Sequence, residues 1–421
     1  MHILFLTQVF PYPLDAGPKV RAYYVLRYLA ERGHRITLLS FVRPADEEES
    51  IAHLRTFCDE VITVPMPRSH VRDALALARS LFTGQPFLIT RDHVSTMAAT
   101  VQRLLQTQDF DAVHADQLWM APYALLARTS NPAPHLILDQ HNAVFQIPRR
   151  LAETTTNPLA RHLLAREARI MARYERDIIR QFHRVVWVTE EDQRAVTGAQ
   201  PASDEPPSPF RPFAPSPHRH SVIPICVDPE QKRPVARENT PRRVTFLGGL
   251  HWPPNAAGVV WFAQEVWPLV AREVPDARLT IIGKNPPRAL TQSPAANIDI
   301  TGYVADLAPY LQETAVFIVP LHAGGGMRVK ILDAWAWGLP VVSTTIGAEG
   351  LAAQPGENLL LADDAQGFAR AVVAVLQQPA LGERLARAGR ETVERAYDWR
   401  KVYRAWDQVY DFAAKEAGTK L

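Results

Sequence analysis

Short apolar runs separated by helix-length segments recur along this chain in one rhythm, and that rhythm constrains the fold most. His2–Thr7 (HILFLT), His34–Phe41 (HRITLLSF) and Val61–Pro65 (VITVP) have the look of buried strands. Between the first two lies KVRAYYVLRYLAERG, apolar at helical period and ending in Gly33, a C-cap residue. Strand, helix, strand in this order predicts βαβ units and a parallel sheet. The pattern continues through helical stretches near 70–83 and 91–106, the strand DAVHA, a helix near 117–128 and the strand HLILDQ. A long Arg-rich helix over roughly 149–182 and the strand RVVWVT follow.

Residues 199–220 interrupt the rhythm with proline too dense for helix or inner strand, so an exposed loop is expected. SVIPICVD (Ser221–Asp228) reads as one more strand of the first sheet, which moves the boundary into the polar stretch 229–242. After it the rhythm restarts: VTFLGGL, a helix from PPNAAG to REV, ARLTIIG, NIDITGYV, a short helix from Asp306, AVFIVPL, NLLLA and two helices reaching Tyr397. The expected architecture is α/β: two doubly wound Rossmann-like domains, residues 1–230 and 231–398, facing across a cleft. A last amphipathic helix within 399–421 is expected to cross back to the first domain.

A length of 421 residues suits two or three domains. The net charge of +2 disfavours a general nucleic-acid binder. Two cysteines, Cys58 and Cys226, are too few for a disulfide framework. The N-terminal MHILFLTQVFPYP lacks a basic leader, and no apolar window is long enough to span a bilayer. A cytoplasmic protein is expected, with peripheral contact at the inner face of a membrane left open.

The segment HAGGGMRVKILDAWAWGLPVV, His322–Val342, joins a strand to a helix through three glycines. Such a loop lets backbone N–H groups and a helix N-terminus approach an anion. Gly324, Gly325 and Gly326 are therefore candidates for holding a diphosphate, with Arg328 and Lys330 as its neutralising charges. Alternatively, Lys330 and Asp333, three residues apart, pair on the helix surface. In the first domain, Gly17 would start a helix aimed at the ligand, with Arg21 one turn in as an acceptor contact. His114 and Asp116 end one strand; His141 and Asn142 end another. The first pair is a catalytic candidate, the second an acceptor-binding one, because ligands bind beyond carboxyl ends of parallel strands. Arg169, Arg173, Arg176 and Arg180 follow at helical spacing, opposite Met171, Tyr174, Ile178 and Phe182. They form either a solvated basic face or a contact with anionic lipid.

These motifs together carry a family likeness. HAGGGMRVKILDAWAWGLPVVST, VTFLGGLHWPPNAAGVVWF and GYVADLAPYL resemble the carboxyl half of glycosyltransferase family 4. DAGPKVRAYYVLRYLAERGH, FDAVHADQ and LDQHN resemble its amino half. The resemblance implies a GT-B fold, a nucleoside diphosphate-sugar donor, a sugar or lipid-linked acceptor, retention and no metal ion or other cofactor. It also implies that Asp333 accepts from the ribose hydroxyls, that Tyr303 and Val304 lie along the base, and that Gly283 belongs to the same nucleotide site. Three departures stand out. Gly325 replaces the family's first glutamate, Gly249 and Pro254 or Asn255 stand where it has a basic pair, and His114-Ala115-Asp116 replaces His-x-His. They keep two rivals in view, a sugar-nucleotide epimerase of the same architecture and a non-catalytic nucleotide-sugar or glycan binder.

Overall fold

A computed structural model describes residues 1–43, 48–198, 219–236, 240–292 and 297–411. The proline-rich stretch 199–218 lies outside them. The described chain divides into two compact units, one of residues 1–198, 219–226 and 400–411, the other of residues 227–399. The first unit ends at Cys226, four residues before the sequence-based boundary, and takes the chain back at Arg400.

The first unit is built on a seven-stranded parallel sheet of order β3-β2-β1-β4-β5-β6-β7. Its strands are β1 His2–Thr7, β2 Arg35–Val42, β3 Glu60–Pro65, β4 Ala112–Asp116, β5 His135–Gln140, β6 Arg184–Trp187 and β7 His220–Val222. β1 is buried along its whole length, as expected for a strand covered on both faces. Leu4, Leu6, Val113, Ala115, Leu136 and Leu138 share one apolar core with Val101, Leu104 and Met171 from the flanking helices. The second unit has six parallel strands of order β10-β9-β8-β11-β12-β13. These are β8 Arg243–Leu247, β9 Arg278–Ile282, β10 Ile298–Gly302, β11 Thr314–Val319, β12 Val341–Ser343 and β13 Leu360–Leu361. Its core gathers Val244, Phe246, Leu279, Ile281, Val316 and Ile318.

Several elements differ from expectation for local reasons. The run 149–182 is two helices, Gln146–Thr154 and Pro158–Ile179. Asn157 Oδ1 accepts from the Leu159 and Ala160 amides at 3.0 and 3.1 Å, and Pro158 suits a first helical turn. The region 117–128 is three short helical pieces, Leu118–Met120, Ala121–Ala124 and Leu125–Thr129. Pro268 supplies no amide donor, and the helical run it interrupts passes through a π-turn at Phe262–Val266. The strand expected over 221–228 spans only His220–Val222, because Pro224 cannot donate to the ladder. The last helix is broken into Trp399–Val402, Tyr403–Ala405 and Trp406–Tyr410; residues 412–421 lie outside the described chain.

Strand order reverses between β1 and β4 in one sheet and between β8 and β11 in the other. Loops diverge at such points and leave a crevice at the carboxyl ends. Thr7 pairs in register with Asp116, and Asp116 with Asp139, so these three strands end level.

Candidate active site

In the second unit the glycine loop follows β11, beside the Gly248-Gly249 turn that follows β8. The helix behind it runs Val329–Ala336, with Arg328 at its N-cap. The Arg328 side chain turns back into its own loop. Its Nη1 donates to the carbonyls of Gly325 and Gly326 at 2.6 and 2.7 Å, and Nη2 reaches the Ile346 carbonyl at 3.5 Å. Gly324 has φ of 142° and Gly326 of 68°. A Cβ at Gly324 would lie 2.6 Å from Arg328 Nη2, so the loop needs glycine there to close around the guanidinium. With 4% of its surface exposed, Arg328, expected as a neutralising charge for the diphosphate, turns its guanidinium onto the loop's own carbonyls and organises the loop.

Lys330 occupies the first turn of that helix. Its Nζ donates to Asn255 Oδ1 at 2.9 Å and lies 4.7 Å from the centre of the Phe246 ring. Asn255 Nδ2 in turn donates to the Gly249 carbonyl at 2.9 Å, which fixes the amide's orientation. Burial, reinforced by nearby Arg328, pushes the Lys330 ammonium down to about 7. Lys330 does not pair with Asp333. Asp333 instead meets Lys232, a residue of the segment expected to be polar linker. Arg390 holds that segment against the helix, donating to the carbonyls of Pro229 at 2.9 Å, Lys232 at 3.0 Å and Ala336. Tyr303 is 54% exposed after β10, with Lys284 Nζ 4.0 Å from its ring centre; Val304 beside it is partly buried. At Gly283 the backbone packs directly on the turn after β8: a Cβ there would overlap the Gly248 carbonyl.

In the first unit the strand ends carry a buried ionic cluster. Arg21 donates through Nε and Nη2 to both oxygens of Asp139 at 2.8 and 3.0 Å, and through Nη1 to the Pro224 carbonyl at 2.7 Å. The rings of Tyr403 and Trp406 lie 5.4 and 5.0 Å from the guanidinium carbon. Arg21 has no exposed surface, which removes it from the expected acceptor contacts. His114 is likewise enclosed: it stacks on Phe5 and its Nδ1 sits 2.7 Å from Tyr410 Oη. Burial drives His114 down to about 3, so it is neutral and supports the cluster from below, a correction to its expected catalytic place. Asp116 receives His141 Nε2 at 2.9 Å, and Gln117 Nε2 lies 3.3 Å from His141 Nδ1. Burial raises the Asp116 carboxyl. Burial also opposes ionisation of Asp139, yet Arg21 and His141 hold that carboxyl below its usual value. His114, Asp116 and Asp139 bring ligand-type atoms within 4.8 Å of one another, but the fixed cation among them is Arg21. His141 and partly exposed Asn142 form the outer edge of the cluster. Gly17 opens the helix Gly17–Glu31 beyond β1, with no side chain capping it.

Two family models match the chain in sequence. One, described as "Glycosyl transferase 4-like domain", covers residues 16–206; the other, "Glycosyl transferases group 1", covers residues 241–378. This chain belongs to glycosyltransferase family 4. The glycosyltransferase is 22% identical over 403 residues to an uncharacterized 44.6 kDa protein in the cps region of Klebsiella pneumoniae, covering 93% of this chain and 95% of the relative. It is 29% identical over 187 residues to a phosphatidyl-myo-inositol mannosyltransferase of Mycobacterium leprae, covering 43% of this chain and 49% of that one. Its fold matches sucrose-phosphate synthase from Thermosynechococcus elongatus with a TM-score of 0.69 at 17% identity, over 98% of this chain and 100% of that one. The two parallel sheets with flanking helices are the Rossmann-like halves of the GT-B fold. The transferase uses a nucleotide sugar in glycan synthesis.

Sequence reasoning missed the residues that position the transferase's loops. Glu175 lies among the arginines of the helix Pro158–Ile179. It is fully buried and accepts from the Val144 and Phe145 amides at 2.8 and 2.9 Å and from Gln140 Nε2 at 2.8 Å. Asp192 accepts from the Ala143 amide at 2.7 Å. Together they fix the loop carrying His141 and Asn142. Gln117, at φ 74°, holds a conformation that non-glycine residues seldom adopt, and no sequence signal marks it.

Proposed function

We propose that the second unit holds the donor with its diphosphate at the carboxyl ends of β8 and β11, against the glycine loop and Lys330. The ribose then lies on Asp333 and the base along Gly302–Val304. The first unit offers the acceptor to Gly17, His141 and Asn142, with Asp116 orienting His141. Transfer proceeds with retention and without a metal ion. The acceptor oxygen bonds to the anomeric carbon as the bond to the diphosphate breaks, and the acceptor proton leaves with the diphosphate. Charge growing on that leaving group is met by Lys330 and by loop amides. Likeness to a mannosyltransferase acting on phosphatidyl-myo-inositol supports a lipid-linked acceptor, and peripheral contact with an anionic membrane belongs to the same reading.

The observation that carries it is Lys330: an ammonium at the strand-order switch point, beside the glycine loop, held by the neutral Asn255 amide and lowered by burial and by nearby Arg328. The test is calorimetric titration of UDP and GDP into the parent and into Lys330→Ala. Loss of its charge-assisted bond should cost about 1.5–3 kcal/mol. Unchanged affinity for both nucleotides would overturn the assignment.

A further inference from the structure

The helix His70–Thr83 is amphipathic with its apolar side outward. Its buried side is polar at the key position: Ser80 is fully buried, and its Oγ donates to the Gln85 carbonyl at 2.7 Å. Arg166, from the helix Pro158–Ile179, donates to the Ser80 carbonyl and Oγ at 2.8 and 3.3 Å. The outer side shows Val71 at 70%, Leu75 at 66%, Leu81 at 49% and Phe82 at 91% exposure, with Leu77 at its margin. At 3.6 residues per turn these side chains share an arc of about 160°. Five of the seven large apolar side chains exposed among the described residues stand on this one helix. A sixth, Leu159, is in the helix that Arg166 ties to it. Arg72 and Arg79, both exposed, line one edge of the arc. The helix's one acid, Asp73, falls on the opposite side.

An apolar face with a basic border complements acyl chains beneath anionic headgroups. Two copies packed face to face would bury that border with no acid on the face to meet it. The apolar stripe opposite Arg169, Arg173, Arg176 and Arg180 offers no comparable face, because its Met171, Ile178 and Phe182 are buried in the core. We propose that the face Val71, Leu75 and Phe82 of the helix His70–Thr83 is a docking surface for an anionic lipid bilayer, with Arg72 and Arg79 against the phosphates.

Co-sedimentation of the full chain with vesicles of phosphatidylcholine, with and without phosphatidylglycerol, tests this without reference to turnover. The result therefore stands apart from the donor and acceptor assignments. The parent should bind vesicles containing phosphatidylglycerol and lose most binding in high salt. Val71→Ser/Leu75→Ser/Phe82→Ser should bind more than about tenfold less. Arg72→Gln/Arg79→Gln should lose about tenfold, with the salt dependence. Changing Arg169, Arg173, Arg176 and Arg180 to Gln should leave binding near that of the parent. Thermal melts coinciding with the parent's establish that the variants, all altered at exposed positions, are folded. The proposal fails if the parent stays in the supernatant with phosphatidylglycerol vesicles, or if the triple serine variant sediments like the parent. It also fails if the parent is a dimer that this variant converts to monomer, since the face would then belong to a second copy.

Discussion

Replacing Lys330 by Met should make the free enzyme more stable while removing much of its affinity for nucleotide. In the folded protein the ammonium falls from 10.5 to about 7, chiefly through burial. At 1.36 kcal/mol per tenfold change in proton affinity, the shift corresponds to at most about 5 kcal/mol against the folded state. The side chain keeps some contact with solvent, so a gain of about 2 kcal/mol in Lys330→Met is the working figure. The sign follows from proton counts. Between about 7 and 10.5 the unfolded chain holds a proton on Lys330 that the folded chain has released. The parent's stability therefore rises with pH through this window, and the full penalty applies below it. Met, of similar length and without charge, removes both the penalty and the slope. The melting transition of the second unit should rise by about 4–8 °C near pH 6.5, with a smaller gain near pH 9. Calorimetric scans of parent and variant, each with and without UDP or GDP, measure all of this. The parent should gain stability from nucleotide and the variant far less. If Lys330→Met is no more stable than the parent at pH 6.5 and is stabilised equally by nucleotide, Lys330 is neither strained nor a ligand.

Three further outcomes are expected. Because Asp333 is held by Lys232, whose side chain is only 25% exposed, Lys232→Met should tighten nucleotide binding by up to about fivefold, and Asp333→Asn should weaken it; weaker binding in both would make Lys232 a phosphate contact. Arg21→Met should destabilise the first unit by about 3–5 kcal/mol, because it strands Asp139 in the core; a denaturant midpoint equal to the parent's would contradict the pairing. Turnover should persist in excess EDTA, since protein cations are proposed to meet the diphosphate; abolition by EDTA and rescue by Mn²⁺ or Mg²⁺ would falsify metal independence.

The alternation of elements was legible because the body of a parallel strand buried on both faces is a continuous apolar run, as Ile3–Leu6 and Ala315–Val319 are. The glycine loop was legible because three consecutive glycines have few other uses. What sequence did not carry was direction. Arg21 sits among nine buried residues of its helix, and a one-dimensional pattern cannot tell an arginine reaching inward to Asp139, 118 residues away, from one reaching out. Arg328 was legible as part of the loop, but its turn back onto Gly325 and Gly326 depends on backbone angles. Lys232 was hidden differently: a polar segment reads as linker until Arg390 is seen fastening its carbonyls. Helix breaks followed single residues, Asn157-Pro158 and Pro268, that a periodicity count averages away.

The return of residues 400–411 to the first unit separates the order of synthesis from the order of folding. The Arg21–Asp139 pair is covered by Tyr403 and Trp406, His114 by Tyr410, and Tyr28 Oη donates to Asp407 at 2.9 Å. These covering side chains leave the ribosome after every residue of the second unit has been made. Domains made amino-terminal first ordinarily fold first. Here the unit begun first closes last, holding a buried arginine and carboxylate open to water until the final stretch of chain arrives, while the unit made second already has all its residues.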